Sequence, residues 1–319
     1  MNYRILIIYL ISFLLLSIFS NGTRKENSNK NNMNHHSFWF ARKVHIRRNF
    51  ESPQMGQLLL SYTTGDRIGL SKHVQDVHNQ LYIMHLFTPS GIHLSSIYLV
   101  LLPLFALIKK RNRKFYHLTL AFAALLPLFL SGFYSMKRVA MLRAISSLAK
   151  LANFNVSLWW SFIGAFSLDL LFGALSKSPL SFIYSFLFLG AIISASKSPQ
   201  SHFFIALIGG QFLINFINHG SVNILGVLLG IFATSIFSIL FPIIFFYYLF
   251  CRYLPVYLAE WPINLYFTLL EKLSSLCNYL PTLQSSIYIL LCFVLFFAIP
   301  YKLAKYPLIA ACILIHFIT

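Results

Sequence analysis

From residue 81 to the C-terminus the chain is almost continuously apolar, and that run excludes most folds open to a 319-residue protein. Eight stretches have the length and flanking charge of membrane-spanning helices: 91–108, 115–131, 155–175, 179–195, 202–218, 221–249, 284–299 and 303–318. Charged residues make up only 10% of the chain, against roughly 25% in a typical soluble domain, whereas 58% is hydrophobic and 33 residues are Phe. Too little polar surface remains to cover an apolar interior of that size in water. Lipid solvates Phe, Leu and Ile directly, so the expected class is all-α: a polytopic integral membrane helix bundle with broken or re-entrant helices.

Three regions are expected. Residues 3–20 form an apolar run behind Arg4, closed by Ser20, with Ile18 where a small residue is usual for cleavage. Anchor helix and cleaved signal peptide both remain open for 1–20. Residues 21–57 are polar, Asn-rich and then basic (Arg42, Lys43, Arg47, Arg48), which reads as a flexible linker with a juxtamembrane segment lying on anionic lipid. Residues 58–319 form the multi-pass domain, helical from the N-cap residue Ser71 in its polar lead. Within it, Pro242 is expected to kink or split 221–249. The polar and Pro-containing stretch 252–282 is expected to be interfacial or re-entrant.

Charge is strongly one-sided, with 25 Lys+Arg against 7 Asp+Glu, a net +18. Positive-inside loops account for such a balance, and so does a polyanionic substrate. The block KKRNRK at 109–114 belongs on the cytoplasmic side by that rule, yet 42–48 is basic too, so the sidedness of 21–80 stays open. The four cysteines sit in or beside apolar stretches without CxxC spacing and read as small hydrophobes.

Three segments place chemistry at membrane depth. In HLFTPSGIH (85–93), Pro89 and Gly91 interrupt helical hydrogen bonding beside His85, Ser90 and His93. Such a break is tolerated only where the freed backbone lines a cavity or is buried in protein, and it often marks a substrate path. A nucleophile reading pairs Ser90 with His93, although Gly91 is expected to disrupt the turn that would join them and no GxSxG frame is present. His85 and His93 lack the carboxylate or thiolate neighbours of a metal site. In SGFYSMKRVAMLRAISSLAK (131–150), Lys137, Arg138, Arg143 and Lys150 either snorkel from a surface helix or line a path for a phosphate backbone. Asp169, the lone acid among residues 77–259, is expected to be in a buried ion pair with that basic segment in preference to acting as a proton relay.

The segment 58–97 resembles the signature of the competence family of DNA-uptake proteins: an apolar lead, a Gly65-Asp66-Arg67 turn, a short helix, then His85, Leu86, Ser90, Gly91, Ile92 and His93, with Phe87 where Leu is usual. SGFYSMKRVAMLRA (131–144) is similar to the family's Gly-x-x-x-Ser-x-x-Arg-Ala segment, with Arg143-Ala144 lying further from Gly132 than usual. Residues 169–192 resemble its next element without the Pro after Asp169, and VNILGVLLG (222–230) resembles its Asn-containing span. The resemblance covers about 58–300 and implies a channel in the bacterial inner membrane that passes single-stranded DNA, with no cofactor and no catalysed step. The implied partners are a DNA receptor, a cytoplasmic helicase-type motor, a separate nuclease, membrane lipid and further copies of the chain. Neither the OB-type nor the nuclease domain of larger members is expected here. Two other functions stay open: a membrane-embedded serine hydrolase using Ser90 and His93, and a transporter of small anions or lipids.

Overall fold

The computed structural model describes residues 3–19, 37–129, 133–196, 198–299 and 302–318. In chain order the helices are α1 (Tyr3–Phe19), α2 (Ser37–Asn49), α3 (Pro53–Thr64), α4 (Lys72–Gln80), α5 (Gly91–Val100), α6 (Leu102–Arg111), α7 (Arg113–Leu125), α8 (Tyr134–Leu151) and α9 (Leu158–Leu171). They continue as α10 (Ala174–Lys177), α11 (Pro179–Ala195), α12 (Gln200–Ile217), α13 (Ile224–Phe250), α14 (Tyr257–Leu276), α15 (Ile287–Ala298) and α16 (Lys302–Ile318). Short 3-10 turns aside, the other regular structure among the described residues is one antiparallel pair, β1 (Ser221–Val222) with β2 (Leu283–Gln284), in the register Ser221–Gln284. The protein is all-helical.

Contacts divide it into two compact units. The first contains α1, α9 to α12, the strand pair, α15 and α16. Here α1 buries Ile5, Ile8, Tyr9, Ser12 and Leu16, and the Tyr9 hydroxyl donates to the Ala206 carbonyl of α12 at 2.6 Å. Gly190 and Gly209 leave the room that Ile8 and Tyr9 occupy. Phe162 and Phe166 of α9 pack on Phe186 of α11 with ring centres 5.4 and 5.3 Å apart, spacings at which aromatic edges and faces attract. Asn223 starts α13 by accepting the Gly226 N–H at 2.9 Å and donating to the Leu280 carbonyl at 3.0 Å.

The second unit contains α2 to α8 and α14, with α13 from Leu228 onward. Local capping explains its early helices. Ser52 precedes Pro53 and takes the Met55 N–H at 3.4 Å, starting α3, and Ser71 takes the Val74 N–H at 3.3 Å, starting α4. The linker expected over 21–57 is helical in its second half. Residues 20–36 lie outside the described residues, but α2 and the start of α3 occupy 37–49 and 53–57. The basic residues of α2 are also not all turned toward lipid. Arg42 donates to the Leu249 carbonyl at 2.9 Å and His45 to that of Cys251 at 2.9 Å. Both satisfy carbonyls at the C-terminal end of α13, where the helix dipole favours donors and cations. At the opposite polarity, the Glu260 carboxylate accepts the N–H groups of Ser52 at 2.8 Å and Glu51 at 3.3 Å, just ahead of α3.

Two further expectations change. α13 runs through Pro242 without a break, so that proline splits nothing. Of the two alternatives for 252–282, interfacial or re-entrant, the re-entrant loop is replaced by a 20-residue helix, α14, again with a proline inside. Both helices are held by tertiary packing, which offsets the single hydrogen bond each proline removes.

Two helices are long and apolar enough to cross a membrane, α12 and α13, and a third span results if α5 and α6, bent by 62° at Leu101, count as one. α1, α9, α11, α15 and part of α16 are apolar but shorter. Along α13, Leu228, Phe232, Ile239, Ile243, Phe246 and Phe250 are exposed, so one face of that helix presents aliphatic and aromatic side chains outward.

Candidate functional site

The singled-out segments 58–97 and 134–150 come together in the second unit. α3 ends because Gly65 adopts φ +77° and returns its N–H to the Ser61 carbonyl at 3.1 Å, a left-handed cap that glycine adopts without Cβ strain. Asp66 then folds the turn on itself. Its carboxylate accepts the Ile68 N–H at 3.1 Å, and its carbonyl accepts Ser61 Oγ–H at 2.7 Å and Gln57 Nε2–H at 2.9 Å. The same carboxylate pairs with Lys43 Nζ at 3.0 Å and Arg47 at 3.3 Å, with Asp66 8% exposed. Arg67 leaves the turn to donate to Thr88 Oγ1 at 2.9 Å, its guanidinium 5.9 Å from the centre of the Phe87 ring. Gly65 sits against the Phe87 carbonyl and Pro89. The Gly-Asp-Arg turn therefore braces the break in the next helix directly.

Between them, α4 delivers His78 to the core. Its Nδ1 lies 2.7 Å from the Val74 carbonyl, which can only accept, so Nδ1 carries the proton and Nε2 accepts the Tyr62 hydroxyl at 2.8 Å. The ring lies tilted 4.3 Å from that of Phe87, and burial lowers its pKa to about 4, which keeps it neutral. After α4 the backbone passes through Tyr82 at φ +56°, a left-handed conformation that bulky residues rarely adopt. Gly230 of α13 holds it there: any side chain at 230 would collide with the Leu81 carbonyl. A 3-10 turn, Met84–Phe87, and the extended Thr88 then lead to the start of α5.

At that start Ser90 and His93 do meet, contrary to the expectation that Gly91 would separate them. Ser90 is the N-cap and Gly91 the first helical residue, so the two side chains face each other across the first turn. The Ser90 backbone N–H donates to His93 Nδ1 at 3.0 Å, which fixes Nδ1 as an acceptor and puts the ring proton on Nε2. Ser90 Oγ also lies 3.0 Å from Nδ1, and Nε2–H donates to the Leu86 carbonyl at 3.2 Å. His93 is fully buried against Phe241 and Phe237 of α13, at 4.5 and 5.2 Å between ring centres. One imidazole thus joins the residue before the break, the cap after it and the core.

Gly91 serves a close approach and not a turn. A methyl group there would run into the Val139 side chain of α8. α5 and α8 cross at that point, and Arg143 ties them again further along, donating to Ser95 Oγ at 3.1 Å with its guanidinium 4.5 Å from the Tyr98 ring centre.

The four basic residues of α8 do not form one patch. Arg138 is fully buried, Lys137 is half-buried, Arg143 is held by Ser95 and Tyr98, and Lys150 is exposed. At 1.5 Å per residue the set spreads along about 20 Å of helix. The residues expected at 131–132, including Gly132, lie outside the described residues. Asp169 is buried on α9. His85 is exposed, its imidazole engaging the Tyr82 backbone. Among the described residues no group of three His, Cys, Asp or Glu is placed to hold a metal ion.

Tyr62, Val139, Phe237 and Phe241 were not singled out in the sequence, and Lys43 and Arg47 were read as facing lipid when they pair with Asp66. Phe237 and Phe241 lie more than a hundred residues from His93 and carry no local motif. Lys43 and Arg47 had a signal, since a basic segment this near the Gly-Asp-Arg turn is a natural partner for its one carboxylate.

Fold and site together define an all-helical protein with candidate membrane spans, built around a helix break that is locked by hydrogen bonds. Comparison with family models, with curated proteins and with solved structures returns no match.

Proposed function

We propose that the chain is a multi-pass membrane protein of the bacterial inner membrane that passes single-stranded DNA into the cytoplasm. The observation that carries this reading is the break at 85–93. Residues matching the competence-type signature, Gly65, Asp66, Arg67, His85, Ser90, Gly91 and His93, all belong to one braced substructure at that break. Discontinuous helices of this kind mark substrate paths because their freed backbone groups and polar caps replace part of a solute's hydration. The shorter apolar helices reach the full set of eight to ten spans by pairing, by snorkelling of flanking residues or by local bilayer thinning. Lys137, Arg138, Arg143 and Lys150 supply the positive field, with Lys137 and Lys150 the freer pair. A DNA receptor, a helicase-type motor and a separate nuclease complete the system.

Deleting the gene in its native host and presenting labelled duplex DNA tests this reading. Loss of cytoplasmic label and of transformants is expected, whereas unchanged uptake refutes the channel.

A second reading, a serine hydrolase, draws on the 3.0 Å Ser90–His93 contact. Two features weigh against it. The single Nδ1 lone pair already takes the Ser90 N–H, and the group orienting the ring is a neutral carbonyl, not a carboxylate. Labelling of the wild type by a fluorophosphonate probe, lost in Ser90→Ala, would favour the hydrolase.

A further inference from the structure

The corner where α6, α7 and α8 meet carries features that the helix break does not use. α6 ends in Lys109, Lys110 and Arg111, Asn112 caps α7 by accepting the Phe115 N–H at 3.0 Å, and α7 opens with Arg113 and Lys114. α8 packs along α7 and brings its last-turn residue Lys150 back to this end. Arg113 and His117 lie one turn apart on α7, with α6 and α8 packed against that helix, so the charges of Lys150, Arg113 and Lys109 all act on the His117 imidazole. Among the described residues no carboxylate pairs with any of these three cations. His117 is 7% exposed and its Nδ1 meets no hydrogen-bond partner.

A cluster of like charges around an unsatisfied buried donor site is unfavourable in the absence of an anion. A phosphate oxygen removes both costs, since it accepts a hydrogen bond from Nδ1–H in the tautomer that protonates Nδ1, and it neutralises the cations. The dipole of the 13-residue α7 adds partial positive charge at the same end.

The neighbouring surface points to the source of that phosphate. Phe115, Leu118 and Phe122 are 55%, 50% and 66% exposed and lie on one face of α7, with Leu104 and Leu107 similarly exposed on α6. An apolar stripe running away from a cationic corner matches a phospholipid, with acyl chains on the stripe and headgroup at the corner.

We propose that the α6–α7–α8 corner binds an anionic phospholipid, its phosphate held by Lys109, Arg113, His117 and Lys150 and its acyl chains along Phe115, Leu118 and Phe122. The site shares Lys150 with the DNA path proposed above, but the lipid assignment does not rest on that path.

The full-length protein in a zwitterionic detergent–phosphatidylcholine mixture provides the test, read as thermal unfolding on titration with phosphatidylglycerol, inorganic phosphate or a thymidine oligonucleotide. Phosphatidylglycerol is expected to raise the unfolding midpoint selectively and to remain bound in native mass spectrometry. The variant Lys109→Gln/Arg113→Gln/Lys150→Gln should bind it at least tenfold more weakly. Lys110→Gln/Arg111→Gln/Lys114→Gln removes the same charge from the same segment and should keep the selectivity, which also controls for folding. Equal loss in both variants overturns the site in favour of diffuse charge. Phosphate alone reproducing the lipid's effect overturns the lipid assignment, and so does displacement of the lipid by the oligonucleotide.

Discussion

At the scale of single residues, the most exacting position is Gly91. Its missing side chain lets α5 and α8 touch at Val139, so Gly91→Ala should destabilise the protein by about 1–3 kcal/mol through overpacking. Gly91→Ala/Val139→Ala should recover most of that loss. Chemical unfolding in detergent checks both, and a double variant no better than the single one would refute the contact. His78 gives a pH dependence with a definite sign. Its folded pKa, about 4, lies below its ordinary 6.5, so the unfolded chain binds the proton more readily. The His78 contribution is complete above pH 6.5 and is lost as the pH falls toward 4. Between pH 7.5 and 5 this group alone should cost about 2 kcal/mol of stability. His78→Phe, which keeps an aromatic ring against Phe87, should flatten that slope even if it lowers stability at neutral pH. An unchanged slope would show that His78 is not buried as described.

At the scale of elements, α2 is tied to the rest of its unit by side chains at both of its polar contacts. Arg42 and His45 take the end of α13, while Lys43 and Arg47 take Asp66. Asp66→Asn keeps the shape and the turn but removes the charge that two partners share. The expected cost is about 1–2 kcal/mol, discounted because Arg47 is largely exposed. The sharper readout is proteolysis: trypsin should cut within 42–48 several-fold faster in Asp66→Asn, and equal rates would remove the clamp. The same turn holds Thr88 through Arg67, so α2 supports the break at Ser90 at one remove.

At the scale of the whole molecule, apolar helices with large outward faces need lipid or detergent around them. α12 and α13 meet the length and composition of spans, and much of the surface of α13 is unburied. The protein should therefore stay with membranes through high-salt and carbonate washes and leave only with detergent. Release by carbonate would sink the multi-pass reading. High salt is the informative control, since a net charge of +18 could hold a peripheral protein on anionic lipid by electrostatics alone.

The sequence by itself determined the helical class and most helix positions, because apolar run length and capping residues act within a few residues of each other. Ser71 and Gly65 act where local chemistry says they should. It marked Ser90, Gly91 and His93 as special but gave Gly91 the wrong role, since a glycine in a helix reads as a breaker until its neighbour is known. Only the tertiary structure decided that Gly91 faces Val139, that His93 is buried on Phe237 and Phe241, and that α2 is docked to α13 and the Asp66 turn. It also kept α13 helical through Pro242 and packed α8, with Lys150 in its last turn, along α7. Each of these joins residues far apart in the chain, and packing across such distances leaves no period or spacing in the sequence to read.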